Sequence, residues 1–162
     1  MIRVMVFALA VSAAAWSVES APTPGTTTPV RSESIQGKND PCNFFTKGEL
    51  EAAFGYALQP ARPDAGLPSC SFNGRNNPSI TISIDPEPAT AAEFNEFLTT
   101  IAGDEGEKIN GVGDAAFIWL SRIYVRVGAR TITISAGLEK ASPKVRGVLI
   151  TLGKTAATRL KQ

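Results

Sequence analysis

The sequence predicts an α+β domain in which a mainly antiparallel sheet packs with three helices. Three observations carry that expectation. Thr46 and Thr90 each stand three residues ahead of a glutamate, the signature of a helix N-terminus. The stretch "SITISID" at 79–85 alternates strictly, and "AAFIWLSRIYVRVGARTITISAG" from Ala115 onward reads as a meander of strands. The resulting order is helix, two strands, helix, meander, helix. It lacks the strand–helix alternation of a parallel sheet, and no internal repeat is visible.

Each element has its own local cause. The capping box "TKGE" starts a short helix over Lys47 to Phe54, and Gly55 stops it. "YALQPARPDAGLP" carries three prolines and Gly66, so irregular structure is expected there. "SCSFNG" at 69–74 reads as the first strand. In 79–85, Ile80, Ile82 and Ile84 share one face and Thr81 and Ser83 the other. Phe94, Phe97, Leu98 and Ile101 then recur at helical spacing, giving an amphipathic helix that ends near Gly103. In the meander, Ala115 to Leu120 is apolar on both faces and so reads as central. Ile123, Val125 and Val127 oppose Arg122, Tyr124 and Arg126, and Ile132 and Ile134 oppose Thr131, Thr133 and Ser135. A last helix begins at Ser142-Pro143, with Val145, Val148, Leu149, Leu152, Ala156 and Leu160 as its apolar stripe. Gly147 and Gly153 each weaken it by about 1 kcal/mol, so packing has to hold it.

The first 17 residues have the layout of a secretory signal peptide: Arg3, an apolar run from Val4 to Trp16, then small residues. That run is shorter than the roughly 20 residues a spanning helix needs, so no stable membrane insertion is expected. No cysteine lies in or just after it to accept a lipid anchor. Residues 18–39 are rich in Pro, Thr and Ser without apolar periodicity and read as a disordered tether. Residues 40–162 are left as one folded domain, and the expected address is secreted or periplasmic. Cleavage after Ser17 removes Arg3, leaving 15 acidic residues matched by equal basic ones. Bulk charge therefore gives no reason to expect nucleic-acid binding.

Cys42 and Cys70 are the only cysteines, and in an oxidising compartment they are expected to form a disulfide. Loop closure of this length contributes roughly 3 to 4 kcal/mol. The chain has no histidine, so no zinc site and no Ser-His or Cys-His arrangement is available. No cofactor is expected: phosphate-loop and dinucleotide fingerprints are missing, and "GVGDAA" lacks the third glycine.

"DPCNFFTKGELEAAFG", "PSCSF" and "GVGDAAF" together resemble bacterial secreted proteins and lipoproteins of the DUF3558 type, over most of residues 40–137. The resemblance implies a Mog1/PsbP-like α-β-α sandwich and an envelope binding or accessory role. The chain departs from the lipoprotein members by lacking the lipidated cysteine.

Two functional readings follow. The first is a non-enzymatic module that binds an envelope component or another secreted protein. Its ligand-binding candidates are Thr81, Ser83, Arg122, Tyr124, Arg126, Thr131 and Thr133, which share the polar sheet face, with Trp119 or Leu120 joining according to register. Two arginines around a tyrosine suit an anionic or sugar-like ligand. An ordinary solvated sheet face has the same composition. If a helix covers part of that face, the site is a cleft at the helix edge. The second reading is a small secreted hydrolase using a pair among Asp85, Asp104, Glu105, Glu107 and Asp114, converging at about 5 to 10 Å. Calcium binding by "GDEGE" is a further alternative, without the usual twelve-residue loop.

Overall fold

The computed structural model describes residues 40–85 and 90–162, all within one compact unit, Glu33–Gln162. The expected signal peptide (1–17) and tether (18–39) lie outside the described residues. Two short helices open the fold: α1 (Pro41–Phe44) and α2 (Lys47–Phe54). After β1 (Arg62–Pro63), β2 (Ser69–Phe72) and β3 (Ile80–Ile84) comes α3 (Ala91–Ala102) with a 3-10 turn at Gly103–Glu105. Then follow β4 (Glu107–Lys108), β5 (Ala115–Trp119), β6 (Arg122–Val127), β7 (Arg130–Ser135) and α4 (Pro143–Leu160).

The seven strands form one antiparallel sheet in the order β1-β2-β3-β7-β6-β5-β4. The α+β class is as the sequence predicts, with one more turn of helix. That turn is α1, nucleated where the Asp40 side chain accepts from the Cys42 amide at 2.9 Å and Pro41 supplies a preset φ. Two other expectations are corrected. Arg62–Pro63 pairs with Cys70 and Ser71, so the proline-rich loop does contribute an edge strand. Proline is tolerated there because an edge residue has no ladder partner on its outer side. Strand β5 is not central; it stands one from the edge, and β7 is the middle strand.

Because side chains alternate, register sorts the whole sheet into two faces. On the first face Cys70, Ile82, Ile134, Ile123 and Ile118 lie directly opposite one another across five strands. All are buried, against Phe44, Leu50, Leu149, Leu152 and Leu160 from α1, α2 and α4, and against Phe45 between the first two helices. On the second face α3 packs Phe94 and Ala102 against Phe117 and Tyr124. The architecture is thus three-layered, with α1, α2 and α4 on one side and α3 on the other. The apolar second face of β5 reflects cover by α3 rather than a central position.

Both capping boxes form: Thr46 with Glu49, and Thr90 with Glu93. Cys42 and Cys70 are paired, Sγ to Sγ 2.09 Å, tying α1 to β2. At the other end of the chain Arg159 hydrogen-bonds the Phe44 carbonyl and the Glu49 carboxylate and lies 4.8 Å over the Phe45 ring. The last helix is thereby fastened to the first two.

Gly153 is a requirement of this packing. A Cβ there would meet Ile123 Cδ1 at 2.7 Å, with Val112 and Val125 methyls at 3.2 and 3.3 Å. A Cβ at Gly147 would meet nothing within 4 Å. Gly147→Ala is therefore expected to raise stability by about 0.5 to 1 kcal/mol. Gly153→Ala is expected to lower it by about 1 kcal/mol, because overpacking outweighs the propensity gain. Chemical denaturation of the two variants checks the opposite signs.

Glu49 gives the fold an acid limit. The Arg159 guanidinium, then the Thr46 amide, hold its carboxyl at about 2 against an ordinary 4.5. A folded-state value below the unfolded one means its contribution is complete above about pH 4.5 and fades as pH falls toward 2. Glu49→Gln is expected to flatten the loss of stability across that window, measured by thermal denaturation from pH 6 down to pH 2.

Candidate functional site

All seven sheet residues singled out in the sequence lie on the second face. Tyr124 is opposite Thr133, which is opposite Ser83; Arg126 is opposite Thr131; Thr81 and Arg122 are each opposite Ser135. Trp119, not Leu120, joins them, opposite Arg122. Leu120 instead occupies the hairpin turn at φ 55, a left-handed conformation rare for a non-glycine residue. Ser121 holds that turn: its hydroxyl donates to the Leu138 carbonyl and accepts from the Leu138 amide.

Helix α3 divides this face in two. Over β5 and β6, Tyr124 stacks on Phe117 with ring centroids 4.5 Å apart and planes 5° off parallel. Phe94 meets Phe117 edge-on, and Tyr124 is 5% exposed. The tyrosine is therefore part of the second core rather than of an open surface. Thr131 is likewise buried, at 7% exposure. Phe97, 42% exposed, sits edge-on to Tyr124 at 5.5 Å and marks one rim of the covered half. The remaining half, over β7, β3, β2 and β1, is lined by small hydroxyl side chains.

One row crosses that half from edge to helix: Arg62, Ser71, Thr81, Ser135, Arg122, with Trp119 beyond. Strand spacing puts the two arginines about 19 Å apart. Both are exposed, and neither guanidinium has an ion-pair or hydrogen-bond partner among the described residues. Between them Ser71 and Thr81 share a hydrogen bond at 3.2 Å, and Asp64 accepts from Ser69 and Ser71. The row is thus an ordered strip of hydroxyls bracketed by two cations. Arg126 is different: it is half-buried, and its Nη1 donates to the Gly128 carbonyl.

Sequence reasoning named Arg122 but missed Arg62. Its register to Ser71 depends on the edge strand, which three prolines conceal. Also missed was a groove between α3 and the stretch Lys108–Ala116. Two adjoining depressions of about 160 and 220 Å³ share Asn95, Leu98 and Lys108.

The carboxylates occupy different surroundings. Glu107 faces α4 and is chelated by Arg146, which holds its carboxyl below the usual range. Asp114 accepts from the Gly128 amide at 2.7 Å and lines the groove beside α3, where no second carboxylate stands. Asp104 and Glu105 are exposed in the 3-10 turn, and Asp85 follows the end of β3. Among the described residues no cluster of three carboxylates or cysteines is placed to hold a metal ion, and no helix is long and apolar enough to cross a membrane.

The division of the face makes a direct expectation. Tyr124→Ala empties the centre of the second core and is expected to cost about 3 kcal/mol. Arg122→Ala, on the open half, is expected to stay within about 0.5 kcal/mol of the parent. Equilibrium unfolding in urea distinguishes them.

No family model matches the chain, and no curated protein matches it.

Proposed function

We propose that the protein is a non-enzymatic, secreted or periplasmic binding or accessory module of the cell envelope that meets its partner on the open half of the sheet. The observation that carries this reading is the row Arg62, Ser71, Thr81, Ser135, Arg122, with unpaired guanidinium groups at both ends and hydroxyls between. Such a strip offers hydrogen bonds to a polyhydroxylated chain and charge-assisted bonds to its anionic groups. Phe97 and Trp119 beside it supply apolar faces for stacking. The Cys42–Cys70 pair is in keeping with an oxidising compartment. The resemblance to DUF3558-type proteins, and the three-layer build expected of a Mog1/PsbP-like fold, point the same way. Thr133 and Ser83 extend the strip by one row, whereas Tyr124 supports it from beneath α3.

Co-sedimentation with isolated bacterial cell envelopes tests the reading. The parent protein is expected to pellet with the envelopes and to be released by raised salt. An Arg62→Ala/Arg122→Ala double variant of equal thermal stability is expected to bind at least about tenfold more weakly, the loss of two charge-assisted contacts. Equal pelleting of both proteins, or of neither, would overturn the proposal.

A further inference from the structure

We propose that Asn110 is a site of spontaneous covalent modification in the folded protein, losing ammonia through a cyclic imide to leave aspartate or isoaspartate. The reaction needs an asparagine side chain that can bend onto the next backbone nitrogen, and a following residue that does not shield that nitrogen. Glycine meets the second need, because it has no side chain and the widest backbone freedom. Asn-Gly occurs twice in the chain, at Asn73-Gly74 and Asn110-Gly111. The fold treats the two pairs differently.

Asn110 and Gly111 are exposed in the turn between β4 and β5. The Asn110 side chain has no hydrogen-bond partner among the described residues. Gly111 has a φ of 74°, and a Cβ there would meet nothing within 4 Å. The turn is held beside this tip instead. The Ile109 and Asp114 amides donate to the Ala116 and Arg126 carbonyls, and Val112 is buried. The tip can therefore change shape while the sheet stays as it is. Asn73-Gly74 is locked by comparison. Asn73 Oδ1 accepts from the Ser79 hydroxyl at 2.9 Å, and the Asn73 carbonyl accepts from the Gln59 amide at 2.8 Å. Gly74 is bridged to Leu58, and a Cβ on it would stand 2.8 Å from Asn77. Ring closure at Asn73 has to break the Ser79 bond first, whereas at Asn110 no such contact stands in the way.

The atoms balance with water as the only co-reactant. The Gly111 nitrogen gives its proton to hydroxide and bonds to Cγ of Asn110. The Cγ–Nδ2 bond breaks, and the side-chain nitrogen takes a proton from water and leaves as ammonia. A water molecule then opens the ring at either carbonyl. Cleavage of the new N–Cγ bond gives aspartate. Cleavage of the original peptide bond gives isoaspartate, with the backbone rerouted through Cγ. Either product puts a carboxylate on the groove wall that Asn110 shares with Lys108 and Asp114, so one cation then faces two anions.

The test is ageing of the full, disulfide-bonded chain at mildly alkaline pH, followed by peptide mapping with mass spectrometry that separates aspartate from isoaspartate. A parallel sample is reduced and held unfolded in urea. In the unfolded chain both Asn-Gly pairs are expected to convert at similar rates. In the folded chain Asn110 is expected to convert at least about tenfold faster than Asn73, the rate equivalent of one hydrogen bond that has to be broken. Asn110→Gln, whose longer side chain would have to close a larger ring, should remove most of the ammonia that the folded chain releases. Four outcomes would sink the proposal: Asn110 intact in the folded chain while it converts in the unfolded one, equal rates at Asn110 and Asn73 in the folded chain, conversion in neither sample, or undiminished ammonia release by Asn110→Gln.

Discussion

The row of five side chains from Cys70 through Ile82, Ile134 and Ile123 to Ile118 is the constraint on which everything else depends. A slip of one residue at any strand would carry its isoleucines to the second face and its hydroxyls into the core. The row is pinned where it would otherwise be free to slide. At the β2 end Cys70 is bonded to Cys42. At the far end the row continues to Glu107, which Arg146 of α4 grips with two donors. An exposed ion pair adds little energy, yet here it fixes the two-residue strand that closes the sheet. With the first face locked, the second is determined: hydroxyls over β3 and β7, aromatics over β5 and β6.

That second face explains why a helix only 12 residues long is enough. Phe117 and Tyr124 are neighbours across β5 and β6, and Phe94 completes a cluster small enough for α3 to cover alone. Covering the whole face would bury Thr81, Ser83 and Thr133 without apolar gain. The helix therefore stops at the boundary between aromatic and hydroxyl residues, and the edge it creates gives both the open strip and the groove their shape.

Much of this was readable in the residues. The capping boxes, the isoleucine alternation, the α4 stripe and the cysteine pair each rest on local chemistry, and each appears where that chemistry puts it. What escaped was non-local. The helix stripe of Phe94, Phe97, Leu98 and Ile101 announces a buried face but not which side of a sheet receives it. Tyr124 between two arginines looks polar, and only its register with Phe117 reveals a core residue. The signal that could have found it was the doubly apolar character of β5, which implies a second layer as readily as a central strand. Arg62 was hidden because proline propensity argues against a strand, and edge pairing overrides propensity. The groove at Lys108 arises from glycine positions whose close approach to β6 no periodicity records.

The disulfide has a mechanical meaning as well as a thermodynamic one. Cys42 is the third described residue of the chain, and its partner lies in the interior of the sheet. Tension applied through the residues that precede Asp40 does not peel α1 away from its neighbours. It passes along a covalent link to β2, where antiparallel ladders on both sides share the load. A pull on the leading end of the domain is thus borne by the sheet itself, and the row between Arg62 and Arg122 keeps its geometry under it.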